Sequence, residues 1–122
     1  NTHYLREQVM RPEIAKLITT HAKAGKIIVG QSAGAIVLTP STMTTTLLED
    51  APTTPSNNFE ALHLVDFEFL PHFEPGNLTK KIVDYSKKTT NKIIAASETN
   101  AIGVRGKEMK FFGDPNNITI YN

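Results

Sequence analysis

Residues 25–38 read GKIIVGQSAGAIVL, and this stretch decides the fold. Its first part, residues 26–30, is a short β-branched run bounded by glycines, which is typical of a strand buried on both faces. Its second part, residues 33–38, is small or apolar and predicts a helix directly after Ser32. We therefore expect a central parallel strand, a tight turn at Ser32 and then a helix.

The segments on either side of this stretch differ in pattern. Between residues 4 and 23 apolar side chains recur at helical spacing, and Pro12 stands where a second helix can begin. We expect one broken helix or two short ones, ending at Gly25. Residues 39–58 contain three prolines among many threonines and serines, which predicts a long irregular loop with a functional role.

The remainder of the chain alternates between strand and helix patterns. Strand patterns occupy residues 62–70, 92–96, 101–105, 109–112 and 118–121, and a helix pattern occupies residues 77–88. This alternation predicts an α/β layered domain with a mainly parallel sheet. The last strands are joined by tight turns, which predicts an antiparallel C-terminal tail.

Length and composition narrow the class of protein. A chain of 122 residues forms one small domain, and its net charge of +1 provides no overall field for nucleic acid or an anionic membrane. The absence of cysteine excludes disulfides, thiolate catalysis and sulfur-ligated metal. No apolar run is long enough for a membrane span or a signal peptide, so we expect a cytoplasmic protein.

The strongest chemical signal is a G-x-S-x-G pattern formed by Gly30, Gln31, Ser32, Ala33 and Gly34. Between a buried strand and a helix, this pattern is typical of a nucleophile elbow, a strained turn that presents a serine hydroxyl. Side chains at the two glycines would collide with neighbouring backbone, and backbone N–H groups after the serine can stabilise an oxyanion. The alternative interpretation is a small-residue turn in which Ser32 is a helix N-cap.

A serine nucleophile needs a base, and the chain contains four histidines. His3 and His21 lie in the charged helical segment and are expected at the surface. His63 lies within a strand pattern and is expected to be structural. His72 follows Pro71 just past the carboxyl end of a predicted strand, where open α/β sheets gather reactive groups, and is our candidate base.

The third member of such a site is a carboxylate that orients the imidazole. Glu98 follows the strand pattern of residues 92–96 and would emerge at the same edge of the sheet. Glu49, Asp50 and Glu74 compete for this role. The order Ser, His, Glu differs from the Ser, acid, His order of α/β-hydrolases, which disfavours an ordinary esterase or lipase.

Three segments together resemble the peptidase E family of serine dipeptidases. They are GKIIVGQSAGAIVL at residues 25–38, LHLVDFEFLPHF at residues 62–73 and Ala96-Ser97-Glu98. The resemblance extends from Asn1 to about Arg105. It implies a fold related to class I glutamine amidotransferases, and cleavage of an amino-terminal aspartate from dipeptides such as Asp-Leu.

The resemblance also implies roles for individual residues. Ser32 would be the nucleophile, His72 the general base and Glu98 the third member of the triad. Ala33 would provide one oxyanion-hole N–H within the elbow, and Asp50 falls near an acidic position that follows the elbow in this family.

Two residues bear on the substrate. Recognition of an amino-terminal aspartate requires a cation, and Arg105 is the arginine in the later half of the chain. Gln31 stands where many family members carry an aromatic residue.

We expect a small peptide substrate and no cofactor. We also expect no metal, because no histidine pair or His-Glu cluster has ligand spacing.

The chain is shorter than is usual in the family. Asn1 resembles the last residue of a Gly-Gly-Asn turn, in which a glycine amide is implied as the second oxyanion donor. We expect residues 1–122 to be the C-terminal part of a peptidase E-like catalytic domain, without the N-terminal half of the fold. An exposed apolar sheet edge would then favour association with that missing segment or with a second copy.

Two other functions are kept as alternatives. A cyanophycinase-like peptidase acting on β-Asp-Arg units would need acidic groups for the arginine, which Glu49, Asp50 and Glu60 can provide. A noncatalytic binding or assembly module would keep the elbow only because its turn needs small residues. Nucleic-acid binding is disfavoured, because the paired lysines of residues 80–88 fit a solvated helix face.

Overall fold

The computed structural model describes residues 1–48, 50 and 57–122. Within these residues the elements are, in chain order, α1 (Thr2–Val9), α2 (Pro12–Lys23), α3 (Ala33–Ile36), a 3-10 helix (Met43–Leu47), β1 (Phe67–Leu70), α4 (Asn77–Ser86), β2 (Lys92–Ala96), β3 (Ala101–Arg105), β4 (Glu108–Phe112), a second 3-10 helix (Pro115–Asn117) and β5 (Ile118–Tyr121). The predicted α/β class is confirmed.

The N-terminal segment forms two short helices, as one of the two predicted arrangements requires. The Asn1 side chain caps α1 by accepting a hydrogen bond from the Tyr4 N–H at 3.0 Å. α2 begins at Pro12, where the missing N–H removes no intrahelical bond. It ends two residues before Gly25, whose positive φ of 74° turns the chain away from the helix.

The main sheet has the strand order β1-β2-β5 and is mixed. β1 is parallel to β2, with Phe67 opposite Lys92 and Leu70 opposite Ala95. β5 is antiparallel to β2, and β3 and β4 form a separate antiparallel hairpin. The expectation of a mainly parallel sheet is wrong for the described residues, because one of their three strand pairings is parallel. The turn at residues 106–107 is too short for a parallel crossover.

The predicted central strand at residues 26–30 is not formed. Ile27 and Val29 are 86% and 88% exposed, so this run is not buried on both faces. Among the described residues, no strand pairs with it. A β-branched run is buried only where neighbouring strands and covering helices surround it, and that partner structure is absent from the described part of the chain.

The hydrophobic core lies between the main sheet, α4 and the first 3-10 helix. Leu70, Ile82 and Ile93 are fully buried at its centre. Leu47 and Phe73 are buried in the same core, and Leu78, Tyr85 and Tyr121 pack against it. The carboxyl ends of β1 and β2 therefore rest on a packed support, which fixes the loops that follow them.

A buried carboxylate joins β1 to the segment before β2. Glu68 is 1% exposed and accepts hydrogen bonds from Tyr85 Oη at 2.5 Å, Thr89 Oγ1 at 3.0 Å and Asn91 Nδ2 at 2.8 Å. Burial, together with the hydrogen bond to this carboxylate, raises the pKa of Tyr85 well above its usual range. Leaving one of these donors unpaired would cost about 1–3 kcal/mol of folding free energy. The cluster therefore fixes the register of β1 relative to the segment before β2.

The β3–β4 hairpin stands apart from the main sheet. Its register places Ile102 opposite Phe111 and Val104 opposite Met109. Because side chains alternate along a strand, these four apolar residues share one face of the hairpin.

In the part of the chain that the structure describes, no helix is both long and apolar enough to cross a bilayer.

Candidate active site

The elbow is a strained turn between residues 26–30 and α3. Ser32 has φ +50°, a backbone conformation that costs a non-glycine residue about 1–3 kcal/mol. Hydrogen bonds from the Gly34 N–H to the Gln31 carbonyl at 2.8 Å, and from the Ile36 N–H to the Ser32 carbonyl at 3.1 Å, hold the turn. The strain places the serine side chain at the start of α3.

The two glycines of the motif differ in their surroundings. A Cβ on Gly30 would lie 2.5 Å from the carbonyl oxygen of Gly34, so this position requires glycine. A Cβ on Gly34 would meet nothing within 4 Å. The expected collision at both flanks of the motif is therefore correct for Gly30 and wrong for Gly34, because a Cβ on Gly34 would point into open space.

His72 lies beside the serine. Its Nε2 is 2.7 Å from the Oγ of Ser32. His72 follows β1 by two residues and has φ +57°, and the next residue, Phe73, donates its N–H to the carbonyl of Ala96 at 3.0 Å. This bond to the end of β2 holds the loop in place, so the imidazole is aimed at Ser32.

Glu98 completes a line of three side chains. Its Oε1 is 2.8 Å from the Nδ1 of His72. An ionised carboxylate only accepts hydrogen bonds, so the tautomer that fits this line has its proton on Nδ1, facing Glu98, and leaves Nε2 to accept from the Ser32 hydroxyl. The side chains of His72 and Glu98 are 44% and 76% exposed, so this line lies at the surface.

The meeting of His72 and Glu98 follows from the sheet. β1 and β2 are parallel neighbours, and each residue comes two positions after the end of its strand. Parallel strands end at the same edge, so two residues at equal distance past their ends lie side by side. The structure thus brings Ser32, His72 and Glu98 together in one hydrogen-bonded line, and their catalytic roles stay a prediction.

Asp50 lies in a different hydrogen-bond cluster. Its carboxylate accepts from the Asn1 Nδ2 at 2.8 Å and from the Thr2 N–H at 2.9 Å, at the beginning of α1. Burial opposes ionisation of Asp50, but the hydrogen bonds from Thr2 prevail and lower its pKa. The structure therefore places Asp50 at the cap of α1, while the carboxylate that contacts His72 is that of Glu98. Glu49, which also competed for that role, lies outside the described residues.

His3 is the clearest error among the histidines. The sequence predicts this residue at the surface, but it is only 4% exposed. Its Nε2 lies 3.0 Å from the carbonyl of Asp50 and 3.2 Å from the Oγ1 of Thr45, and its ring makes an edge-to-face contact with that of Phe59. The charged neighbours of His3 in sequence concealed this, because its burial comes from a segment more than forty residues away.

Arg105 lies at the end of β3, opposite Glu108 in the hairpin. Among the described residues, no hydrogen bond or ion pair joins it to Ser32, His72 or Glu98. Residues 1–48, 50 and 57–122 also contain no group of three or more histidine, aspartate or glutamate side chains placed to hold a metal ion.

This geometry defines a class of site. A serine on an elbow, a histidine and a glutamate, hydrogen-bonded in series on an α/β fold, form the arrangement seen in hydrolases that pair a serine with histidine and an acid. The chain belongs to peptidase family S51, whose family model matches residues 1–112. The resemblance to the peptidase E family is confirmed.

Individual relatives agree with this assignment. An uncharacterized peptidase of Listeria monocytogenes is 35% identical over 114 residues, covering 89% of this chain and 55% of the relative. A peptidase E of Shewanella baltica is 28% identical over 123 residues, covering 93% of this chain and 51% of the relative. The chain spans about half the length of the curated relatives it matches.

A solved structure resembles the fold. The crystal structure of a candidate peptidase E from Listeria monocytogenes matches with a TM-score of 0.75 and 34% sequence identity. The match covers 92% of this chain and 55% of that chain. The similarity therefore includes nearly all of the residues present here.

Proposed function

We propose that this chain is a serine peptidase that hydrolyses short peptides with an amino-terminal aspartate. The observation that carries the proposal is the line of short contacts from Ser32 through His72 to Glu98, with heavy-atom distances of 2.7 and 2.8 Å. Each contact has the direction that nucleophile activation needs, because the base faces the hydroxyl and the carboxylate faces the opposite ring nitrogen.

In the proposed reaction, the Oγ of Ser32 bonds to the carbonyl carbon of the peptide while Nε2 of His72 takes the hydroxyl proton. Collapse of the tetrahedral intermediate breaks the C–N bond, and the proton passes from Nε2 to the leaving amine. Water then attacks the acyl-enzyme ester, giving its proton to His72, and Ser32 is released with its hydroxyl restored. The carboxylate of Glu98 stabilises the imidazolium that forms in both halves.

The N–H of Ala33 is the proposed oxyanion donor. It is the first N–H after Ser32, and it makes no backbone hydrogen bond among the described residues, whereas the N–H groups of Gly34, Ala35 and Ile36 are engaged in the turn. A donor of this kind contributes about two to three powers of ten in rate. Its position at the beginning of α3 is set by the strained φ of Ser32.

The preference for aspartate is supported by the likeness to peptidase E, and a matched set of substrates tests it. Asp-p-nitroanilide is compared with Asn-p-nitroanilide, which has nearly the same shape and no negative charge. We expect kcat/KM to be at least about 100-fold higher for the aspartyl compound, because a site built for a carboxylate leaves its cation unpaired when the charge is removed.

Two outcomes would contradict this substrate assignment. Equal kcat/KM values for the two anilides would remove the aspartate preference while leaving the serine mechanism intact. Faster hydrolysis of a β-Asp-Arg dipeptide than of Asp-p-nitroanilide would favour the cyanophycinase-like alternative.

We also propose that this chain works together with further polypeptide that covers residues 26–30. Ile27 and Val29 are almost fully exposed although they directly precede the elbow, and Ile28 lies in an apolar groove beside α2. The relatives are about twice as long as the matched region, so they contain polypeptide without a counterpart here. A strand from that portion, paired with residues 26–30, would bury both side chains and support Ser32.

Hydrogen exchange tests this association. The probe is the portion of the Listeria monocytogenes relative that this chain does not match. We expect it to slow exchange of the amides of residues 26–30 by about tenfold or more, and we expect Ile27→Ser with Val29→Ser to remove the effect. The matched control replaces two exposed apolar residues of the hairpin, Val104→Ser with Phe111→Ser, and should retain it.

Unchanged exchange at saturating probe would overturn the proposed partner. Protection that rises with the concentration of this chain alone would overturn it as well, since a second copy would then be the occupant.

A further inference from the structure

The turn that carries Glu98 receives little support from packing. Residues 97–100 form a β-turn closed by the Asn100 N–H and the Ser97 carbonyl at 3.2 Å, with Glu98 and Thr99 at its centre. The Glu98 side chain is 76% exposed. Its direction toward His72 therefore depends on how the turn itself is held.

The side chain of Asn100 holds this turn through every polar atom it has. Its Oδ1 accepts from the Ser97 Oγ at 2.7 Å, which fixes the turn from inside. Its Nδ2 donates to the carbonyl of Phe112, the last residue of β4, at 3.2 Å and to the carbonyl of Asp114, in the connection to β5, at 2.8 Å. An amide fits this environment because it combines one acceptor with two donors.

Gly113 allows the close approach on which these bonds depend. Its φ is +97°, and a Cβ there would lie 2.6 Å from the Thr99 carbonyl oxygen and 2.7 Å from the Nδ2 of Asn100. Any side chain at Gly113 would push the connection away from the turn, in a conformation that L residues rarely adopt.

The connection is in turn fixed to the main sheet. The N–H of Ser97 donates to the Asn117 carbonyl at 3.2 Å, and the N–H of Asn117 donates to the Asp114 carbonyl at 3.0 Å. β5 follows at once and pairs with β2, with Ile118 opposite Ala96. The residues that hydrogen-bond to the turn are therefore themselves held by hydrogen bonds to the main sheet.

We infer that Asn100 and Gly113 are positioning residues that set the Glu98 carboxylate against His72. They touch neither the proposed substrate nor the reacting atoms and act through the turn. The effect of these residues on catalysis rests on the proposed function. The β4–β5 connection, which the sequence pattern predicts as part of an antiparallel tail, thereby takes part in the geometry of the site.

The first test measures kcat and KM for Asp-p-nitroanilide in Asn100→Ala and Gly113→Ala. Displacement of a catalytic group by about 1 Å costs on the order of 100-fold, so we expect kcat to fall by about 10- to 100-fold with little change in KM. Ser97→Ala removes one of the bonds and should have a smaller effect. The control is Asn122→Ala at the exposed C-terminal residue, which should match the wild type.

A double-mutant cycle separates positioning from general destabilisation. If Asn100 acts through Glu98, Asn100→Ala should have almost no further effect on kcat in a Glu98→Gln background. Losses that multiply in the double variant would overturn the inference, because the two residues would then act independently.

A spectroscopic readout keeps the test independent of turnover. A proton shared between the Nδ1 of His72 and the Glu98 carboxylate gives a far-downfield proton resonance, which we expect in the wild type and not in Asn100→Ala or Gly113→Ala. If circular dichroism shows that the variants are folded and they keep this resonance unchanged, the inference is wrong. A wild type with the resonance but without hydrolysis of any anilide would refute the proposed function alone.

Discussion

Replacing Ser32 by alanine is expected to lower kcat for Asp-p-nitroanilide by a factor on the order of 10⁴ to 10⁶. The substitution removes the Oγ that lies 2.7 Å from His72 Nε2, and with it the atom that forms the acyl-enzyme. Alanine at φ +50° is strained to much the same degree as serine, so the elbow should keep its shape. The expected loss is therefore one of chemistry and not of folding.

The measurement is release of p-nitroaniline by the purified chain, beside labelling with a fluorophosphonate. The probe should bond to the wild type through Ser32 with loss of fluoride, and it should leave Ser32→Ala unlabelled. The matched control is Ser86→Ala, which removes a hydroxyl that donates to the Val83 carbonyl at the end of α4. Labelling or hydrolysis that survives in Ser32→Ala would show that another group is the nucleophile.

The positions of His72 and Glu98 could be predicted because they depend on short-range patterns. Each follows a strand that the apolar run makes recognisable, and parallel neighbours align their carboxyl ends. The break between α1 and α2 was equally predictable, since proline restricts where a helix begins. In these cases, local sequence and simple sheet geometry are enough.

Residues 26–30 show where local pattern is insufficient. A run of β-branched side chains indicates that a segment is suited to a central strand, but pairing requires neighbouring strands. The described residues do not supply them, and Ile27 and Val29 remain exposed. The roles of His3 and Asn100 escaped prediction for a related reason, because their partners lie far along the chain or are backbone atoms with no sequence signature.

Backbone strain is concentrated at the candidate site. Among the described residues, three non-glycine residues have positive φ: Ser32, His63 and His72. Two of these three form the serine–histidine hydrogen bond. Conformations of this kind cost about 1–3 kcal/mol each and persist where the surrounding structure imposes them. Here the bonds around the elbow and the support of the core beneath β1 and β2 supply that constraint.

Gly30→Ala should have the largest effect of any substitution that leaves the three polar side chains in place. The new methyl group would lie 2.5 Å from the Gly34 oxygen, 2.7 Å from the Gly34 carbonyl carbon and 2.8 Å from the Ala35 Cα. All three are backbone atoms, so no side-chain rotation relieves the overlap. The beginning of α3 must shift, and Ser32 and the Ala33 N–H move with it.

We expect this shift to lower kcat by about 100-fold or more and the free energy of unfolding by about 1–3 kcal/mol. Gly34→Ala is the control for stability, since its Cβ meets open space and alanine favours a helix by about 1 kcal/mol over glycine. Its melting temperature should equal or exceed that of the wild type. If Gly30→Ala has the melting temperature of the wild type and keeps full activity, the close approach of residue 30 to the backbone of α3 is not what holds Ser32 in place. The strained φ of the serine must then be imposed by the contacts of α3 alone.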